Sequence, residues 1–116
     1  MDIQKAAFDL LAAERLKKPI EPFTSSTDIS VDDAYRIQLL QINEKLKEAQ
    51  LVGMKIGLTS KVMQTMFNVD TPDFGHILNT MVFENGQTIS VSQFIAPKIE
   101  FELAFVLKED LKGPNV

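Results

Sequence analysis

The chain has 116 residues, a net charge of −4, 45% hydrophobic residues and no cysteine. This length allows one domain with a modest core, and the lack of cysteine excludes disulfides, thiolate nucleophiles and cysteine-ligated zinc. The excess of acidic residues argues against nucleic acid as a partner. The sequence has neither a long apolar run nor a signal-peptide pattern, so we expect a cytoplasmic protein that has no membrane partner.

The first half of the sequence predicts two helices. Apolar residues recur at helical spacing over residues 3–17, and Pro19 ends this segment. A second helix is predicted over residues 31–49, with Ser30 as its N-cap. Its predicted apolar stripe consists of Val31, Ala34, Tyr35, Leu39, Ile42 and Leu46.

The second half predicts strands around one short helix. Residues 51–58 have the pattern of a buried strand, Ser60 caps a helix over 61–67, and residues 68–75 form a loop of turn residues. Further strands are predicted over 81–83, 88–91 and 98–107, and the core is expected to include Met54, Met63, Met66 and Phe67. Helices followed by strands predict an α+β fold, helical over 1–50 and strand-rich over 51–116.

The predicted strand 98–107 carries two carboxylates of interest. Side chains two apart share one face of a strand, so Glu100 and Glu102 would lie on one face, opposite a core-facing row of Phe101, Leu103 and Phe105. Carboxylates about 6.5–7 Å apart along a strand in an apolar segment are costly unless a cation lies between them. A divalent metal would satisfy both, and the alternative is a charged edge strand that resists aggregation.

Three segments, taken in order, resemble one enzyme family. They are Gly53-Met54-Lys55-Ile56-Gly57-Leu58-Thr59-Ser60-Lys61, Pro72-Asp73-Phe74-Gly75, and Lys98-Ile99-Glu100-Phe101-Glu102-Leu103-Ala104-Phe105. Together they are similar to the 2-oxopent-4-enoate hydratases (2-hydroxypenta-2,4-dienoate hydratases) of the fumarylacetoacetase-like superfamily. The resemblance covers nearly the whole chain and implies a mixed β-roll with flanking helices. It also implies a homo-oligomer that acts in the catabolism of aromatic compounds.

The same resemblance implies a Mg²⁺ or Mn²⁺ site and a small dienoate or 2-keto acid as substrate. The family's metal-binding carboxylates fall on Glu100 and Glu102, its active-site lysine on Lys55 and its loop aspartate on Asp73. A third metal carboxylate is expected beyond residue 116, so we expect the sequence to be the N-terminal part of a longer hydratase domain. The enzyme would add water to 2-hydroxypenta-2,4-dienoate and give 4-hydroxy-2-oxopentanoate.

Several of these residues have two interpretations. Desolvation and a nearby metal would lower the pKa of Lys55 and suit it to proton transfer, or it stays charged and anchors the substrate carboxylate. Asp73 has a catalytic or water-orienting role, or it is simply favoured in a turn. Thr59 and Ser60 form a helix cap, or they also face the substrate carboxylate. His76, the single histidine, is expected to be structural.

Two other functions are open from the sequence. One is the related 4-oxalocrotonate decarboxylase, which would need another cationic contact, from Arg36 or Lys61, for a second substrate carboxylate. The other is a non-catalytic fragment that assembles with a longer chain.

Overall fold

The computed structural model describes residues 1–115. In chain order the elements are α1 (Ile3–Leu16), α2 (Val31–Lys45), β1 (Leu51–Gly57), α3 (Lys61–Met66) and β2 (Asp73–Leu78), with short 3-10 turns at Phe23–Ser25, Asn79–Met81 and Val91–Gln93. Helices with one small antiparallel sheet agree with the predicted α+β class, while the β-roll stays a prediction. Among the described helices, none is both long and apolar enough to cross a membrane.

Helices α1 and α2 pack on each other and form the small core. Ala6, Ala7 and Ile37 are buried at their contact, and Phe23 packs against this cluster from the connection between the two helices. The predicted stripe of α2 is wrong in part, because Val31 is 71% exposed whereas Ile37, which the stripe omitted, is 4% exposed. Several helical faces of α2 carry apolar residues, and only the packing with α1 decides which one is buried.

The predicted caps position the helices as expected. The Ser30 side chain accepts a hydrogen bond from the backbone N–H of Asp33 at 3.1 Å, at the start of α2. Lys45, at the end of α2, forms an ion pair with Glu14 of α1 at 2.6 Å. This ion pair therefore links the two helices near the C-terminal end of α2, shortly before β1 begins.

Strands β1 and β2 form an antiparallel ribbon, and α3 lies in the connection between them. Lys55 pairs with Gly75 and Gly57 pairs with Asp73, after a bulge between Leu51 and Gly53. The far end of the ribbon is closed by Gln50, whose backbone N–H donates to the Asn79 side chain at 2.8 Å while its carbonyl accepts from the Asn79 N–H at 2.9 Å. This register places the candidate site residues.

The predicted strands over 81–83, 88–91 and 98–107 are wrong for this structure. Within residues 1–115 the only strands are β1 and β2, and β2 begins at Asp73, inside the predicted loop. Phe101, Leu103 and Phe105, expected in a core, are 98%, 87% and 82% exposed. The alternation of apolar and polar residues indicates which face a strand would bury. A strand also needs a hydrogen-bonded neighbouring strand, and no described residue supplies one for 98–107.

The expected burial of the second half is also wrong. Strand β1 is mostly exposed rather than buried, and four residues assigned to the core are exposed: Met54, Met63, Met66 and Phe67. The apolar residues of a strand or helix are buried only where another layer covers them. Among the described residues the packed layers are α1, α2 and the ribbon, which leave these side chains uncovered.

Candidate active site

Lys55 on β1 brings together the two glutamates that the sequence singled out. Its Nζ donates to Glu102 Oε1 at 2.8 Å and lies 3.4 Å from Glu100 Oε2. Both carboxylates thus lie on the same side of their segment, although the strand predicted there is not formed. All three side chains are about half exposed or more, at 47%, 68% and 56% for Lys55, Glu100 and Glu102. The cluster is open to solvent and to a small ligand.

The glutamates set the charge of Lys55. The hydrogen bond to Glu102 raises the pKa of Lys55 above its ordinary value of 10.5, with a further contribution from Glu100 and an opposing one from desolvation. Of the two interpretations of Lys55, the structure shows the charged one: the pKa is raised rather than lowered, because the two carboxylates outweigh the desolvation. Lys55 is therefore an ammonium at neutral pH in this structure.

Asp73 lies on the same face of the ribbon as Lys55. Lys55 and Gly57 are two apart on β1, and their partners Gly75 and Asp73 are two apart on β2, so all four residues share one face. Asp73 is the diagonal neighbour of Lys55, a relation that places Cα atoms about 7–8 Å apart. The ribbon therefore presents an ammonium and a carboxylate side by side, within reach of one small substrate.

Gly57 makes room for the Asp73 carboxylate. A Cβ built on Gly57 would overlap Asp73 Oδ1, whereas a Cβ on Gly75 would meet nothing within 4 Å. The glycine in this strand thus marks a close approach, as glycines in strands often do. The approaching group is a side chain that the sequence independently proposed for the site.

Helix α2 holds the other edge of β2. The backbone N–H of Phe74 donates to the Tyr35 hydroxyl at 3.3 Å, and its carbonyl accepts from Gln38 Nε2 at 3.1 Å. The rings of Tyr35 and Phe74 stack with centroids 4.6 Å apart, and Gln38 Oε1 lies 3.0 Å from His76 Nδ1. These contacts fix the residue next to Asp73 and agree with a structural role for His76.

Sequence reasoning missed these supporting residues. Tyr35 was assigned to an apolar stripe, and Gln38 was not singled out. Their partners lie 39 and 36 residues further along the chain, so no local pattern could reveal the contacts. One signal was available in the sequence: a tyrosine in an apolar stripe usually has a hydrogen-bond partner for its hydroxyl.

Thr59 and Ser60 follow the end of β1 that carries Gly57. Ser60 Oγ accepts from the backbone N–H of Met63 at 3.2 Å, which confirms its role as the N-cap of α3. Between this cap and β1, Leu58 has a φ of 53°, in the left-handed region that non-glycine residues seldom adopt. The chain therefore turns just after Gly57, opposite Asp73, and Thr59 and Ser60 follow that turn.

The cluster offers oxygen donors of the kind that Mg²⁺ and Mn²⁺ take. Glu100 and Glu102 converge on one cationic atom, the Nζ of Lys55, and Mg²⁺ is commonly held by one or two carboxylates together with water and substrate oxygens. Within residues 1–115, no group of three or more acidic, histidine or cysteine residues could hold an ion. The residues present fit such an ion in donor type, with two carboxylates at the cluster.

The two cations considered for a second substrate carboxylate are engaged elsewhere. Arg36 pairs with Asp33 within α2 at 3.2 Å, and Lys61 donates to Gln64 within α3 at 2.9 Å. Neither contacts the cluster around Lys55. The geometry therefore gives no support to the decarboxylase alternative.

Comparison with known proteins shows the same class of enzyme repeatedly. The chain is 40% identical over 117 aligned positions to a 2-hydroxypent-2,4-dienoate hydratase of Pseudomonas putida, covering 98% of this chain and 53% of that protein. It is 42% identical over 110 positions to a 2-keto-4-pentenoate hydratase of Paraburkholderia xenovorans (strain LB400), covering 93% and 41%. It is 46% identical over 89 positions to a 2-oxo-hept-4-ene-1,7-dioate hydratase of Escherichia coli, covering 76% and 33%.

These relatives define the class as hydratases of unsaturated 2-keto acids. No family model matches the chain. The identities of about two in five residues over most of the chain nevertheless show that it belongs to the 2-hydroxypentadienoate (2-keto-4-pentenoate) hydratase family, as the sequence motifs indicated. The chain spans about half the length of the curated relatives it matches.

Proposed function

We propose that the protein is a divalent-metal-dependent hydro-lyase that adds water to 2-hydroxypenta-2,4-dienoate and gives 4-hydroxy-2-oxopentanoate. One observation carries the proposal: Glu100 and Glu102 reach across 45 or more residues of sequence to the ammonium of Lys55, on the ribbon face that also bears Asp73. The names of the relatives support the reaction class. A place in the breakdown of aromatic compounds is part of the same proposal.

Glu100 and Glu102 are the proposed ligands of Mg²⁺ or Mn²⁺. When bound, the ion supplies Lewis-acid stabilisation of negative charge on the oxygen at C2 of the substrate. The Lys55 ammonium now occupies the space between the two carboxylates. With a dication held by Glu100 and Glu102, the Lys55 ammonium would no longer be needed to balance their charge and would be free to bind the substrate carboxylate.

Lys55 is the proposed anchor for the substrate carboxylate. Lysine with its ordinary pKa of 10.5 is positively charged at neutral pH without help from the glutamates, and an ammonium supplies three donors on a flexible stem. The C1 carboxylate bound there would lay the diene along the ribbon face toward Asp73. Thr59, at the turn beyond Gly57, supplies a hydroxyl at that end of the ribbon, and Ser60 keeps a hydroxyl hydrogen to donate while its oxygen caps α3.

Asp73 is the proposed acid–base and water-orienting group. It would take the proton of the 2-hydroxyl and, as the protonated carboxyl, give a proton to C5, which leaves a 2-keto acid with a C3–C4 double bond. Water then adds its oxygen at C4 and a proton at C3, conjugate to the ketone, and Asp73 orients that water. The diagonal placement beside Lys55 gives a substrate anchored at one end access to Asp73 at the other.

A direct assay tests the proposal. The protein is incubated with freshly generated 2-hydroxypenta-2,4-dienoate, and the loss of diene absorbance is followed together with formation of 4-hydroxy-2-oxopentanoate. We expect turnover that disappears on chelation and returns with Mg²⁺ or Mn²⁺. Release of CO₂ from 4-oxalocrotonate, with no hydration of the dienoate, would instead establish the decarboxylase.

The metal ligands are tested by substitution and by binding. Glu100→Gln and Glu102→Gln should each weaken Mn²⁺ binding, followed by the electron paramagnetic resonance signal of free Mn²⁺, and should lower kcat/KM by roughly 100-fold or more. Glu109→Gln, an exposed carboxylate outside the cluster, is the matched control and should behave as wild type. Unchanged Mn²⁺ binding in both site variants would contradict the proposed ligands.

A further inference from the structure

Among the described residues, Gln64 is the one polar residue that is buried. Its side chain is on α3 and the residue is 3% exposed. Gln64 Nε2 donates to the carbonyl oxygen of Leu58 at 2.7 Å, and Lys61 Nζ donates to Gln64 Oε1 at 2.9 Å. The two partners fix the orientation of the amide, because a carbonyl can only accept and an ammonium can only donate.

Leu58, the residue that Gln64 holds, has an unfavourable backbone conformation. Its φ of 53° lies in the left-handed region, where a branched side chain without a local hydrogen bond is a true outlier. Such conformations persist only when the surroundings over-determine them, and they cluster at functional sites. The short bond from Gln64 is the described side-chain contact that restrains the Leu58 carbonyl.

Helix α3 holds Gln64 by hydrogen bonds at both of its ends. Its first turn is capped by Ser60, and the backbone N–H of Gln64 donates to the Ser60 carbonyl at 3.0 Å. Its last turn is closed by Val69, whose N–H donates to the Gln64 carbonyl at 2.9 Å, next to Asn68 with a φ of 54°. The Gln64 backbone is thus hydrogen-bonded toward both ends of the helix, and its side chain reaches Leu58 from there.

We propose that Gln64 is a positioning residue for the active site. By holding Leu58 in the left-handed conformation it sets where the chain turns between Gly57, which lies against Asp73, and the hydroxyls of Thr59 and Ser60. This role rests on the proposed function, since those groups are the proposed substrate contacts. Gln64 itself does not touch the substrate and acts only through Leu58.

A double-mutant cycle tests the role. Gln64→Met keeps the size of the side chain and removes both hydrogen bonds, and it should lower kcat/KM for the dienoate by about 10- to 100-fold. Glycine adopts positive φ without cost, so in the Leu58→Gly background the same substitution should lower kcat/KM less than threefold. Equal losses in both backgrounds would overturn the proposal, because a residue that only fills space would not be rescued at position 58.

Crystal structures of the variants separate this proposal from the proposed function. Gln64→Glu retains the acceptor for Lys61 and loses the donor for Leu58, so it is the second variant if Gln64→Met does not fold. We expect φ of Leu58 to leave the left-handed region in either variant. The matched control is Gln41→Glu, which changes another glutamine that donates to a backbone carbonyl, and in this variant φ of Leu58 should stay in the left-handed region. A Leu58 φ that remains near 53° in the Gln64 variants would overturn the proposal whether or not the protein hydrates the dienoate.

Discussion

The carboxylate of Asp73 occupies the space that a side chain at residue 57 would need, directly across the ribbon from Gly57. The two residues therefore constrain each other: the glycine permits this position of the carboxylate, and a larger residue at 57 would displace the carboxylate from it. Because Asp73 begins β2, this single pair links the geometry of the ribbon to the chemistry proposed for it.

Gly57→Ala should separate stability from activity. The added methyl would displace the Asp73 carboxylate, which can swing away because it is the end of a side chain, so the free energy of unfolding should change by less than about 1 kcal/mol. Activity should fall roughly 10- to 100-fold, because small misplacements of catalytic groups are costly. Gly75→Ala is the matched control, since its Cβ meets nothing within 4 Å, and equal effects in both variants would contradict this reading.

The ionisation of Lys55 should depend on the two glutamates unequally. Glu102 makes the shorter contact, 2.8 Å against 3.4 Å for Glu100, and is the larger cause of the raised pKa. Glu102→Gln should therefore lower the pKa of Lys55 more than Glu100→Gln does, as followed by the carbon resonance of the Lys55 side chain. A larger effect from Glu100→Gln would show that the pairing differs in solution.

The pH dependence of the same cluster follows from the direction of the shift. A pKa raised on folding means that the contribution of Lys55 to stability is fully present below its ordinary value of 10.5 and is lost as the pH rises through the higher folded value. The segment that carries Glu100 and Glu102 should stay tethered at neutral pH and loosen in strongly alkaline solution. Proteolysis near residue 101 as a function of pH, with Lys55→Met as a comparison that is untethered throughout, measures this.

Tyr35→Phe should weaken the support of β2 while the ring stack is retained. The variant removes the acceptor for the Phe74 N–H, and we expect a loss of about 0.5–1 kcal/mol, at the low end for a hydrogen bond because this group is exposed. Tyr35→Leu, which also removes the stack with Phe74, should cost more. Urea denaturation of the three proteins gives the comparison, and a Tyr35→Leu variant as stable as wild type would rule out a contribution of Tyr35 to the support of β2.

Thr59 and Ser60 should respond differently to loss of their hydroxyls. Ser60→Ala removes the N-cap of α3 and should cost about 1 kcal/mol of stability, whereas Ser60→Asp, which can still cap, should not. Thr59→Val should leave the unfolding free energy within about 0.5 kcal/mol of wild type and raise KM for the dienoate. An unchanged KM in Thr59→Val would remove Thr59 from the proposed substrate contacts.

The local parts of the fold were predictable from sequence because their causes are local. Ser30 and Ser60 cap helices that begin at the next residue, since a cap depends on a serine and the backbone within three residues of it. The bounds of α1 and β1 are close to the predicted ones for the same reason. Burial was predicted poorly, as Val31 and Met66 show, because it depends on which other layer covers a face.

The candidate site was predictable as a set of residues but not as an arrangement. Glu100 and Glu102 were named from their residue type and spacing, and Lys55 from the family resemblance. The structure brings the three together through contacts that no local rule describes. Gln64, Tyr35 and Gln38 were missed because glutamine and tyrosine on a helix are ordinary until their distant partners are known. The strand expected over 98–107 was wrong because alternation predicts the side-chain pattern without supplying a neighbouring strand.

The paired contacts of Gln50 and Asn79 make the ribbon intolerant of changes in length. They fix a common origin for both strands, and the number of residues from that origin decides which side of the ribbon each later side chain faces. Beyond the bulge at Leu51–Gly53, losing or gaining one residue before Lys55 would carry the lysine to the side that packs on α2. We expect relatives to vary in length within the connection between α3 and β2 and to keep a constant count along β1.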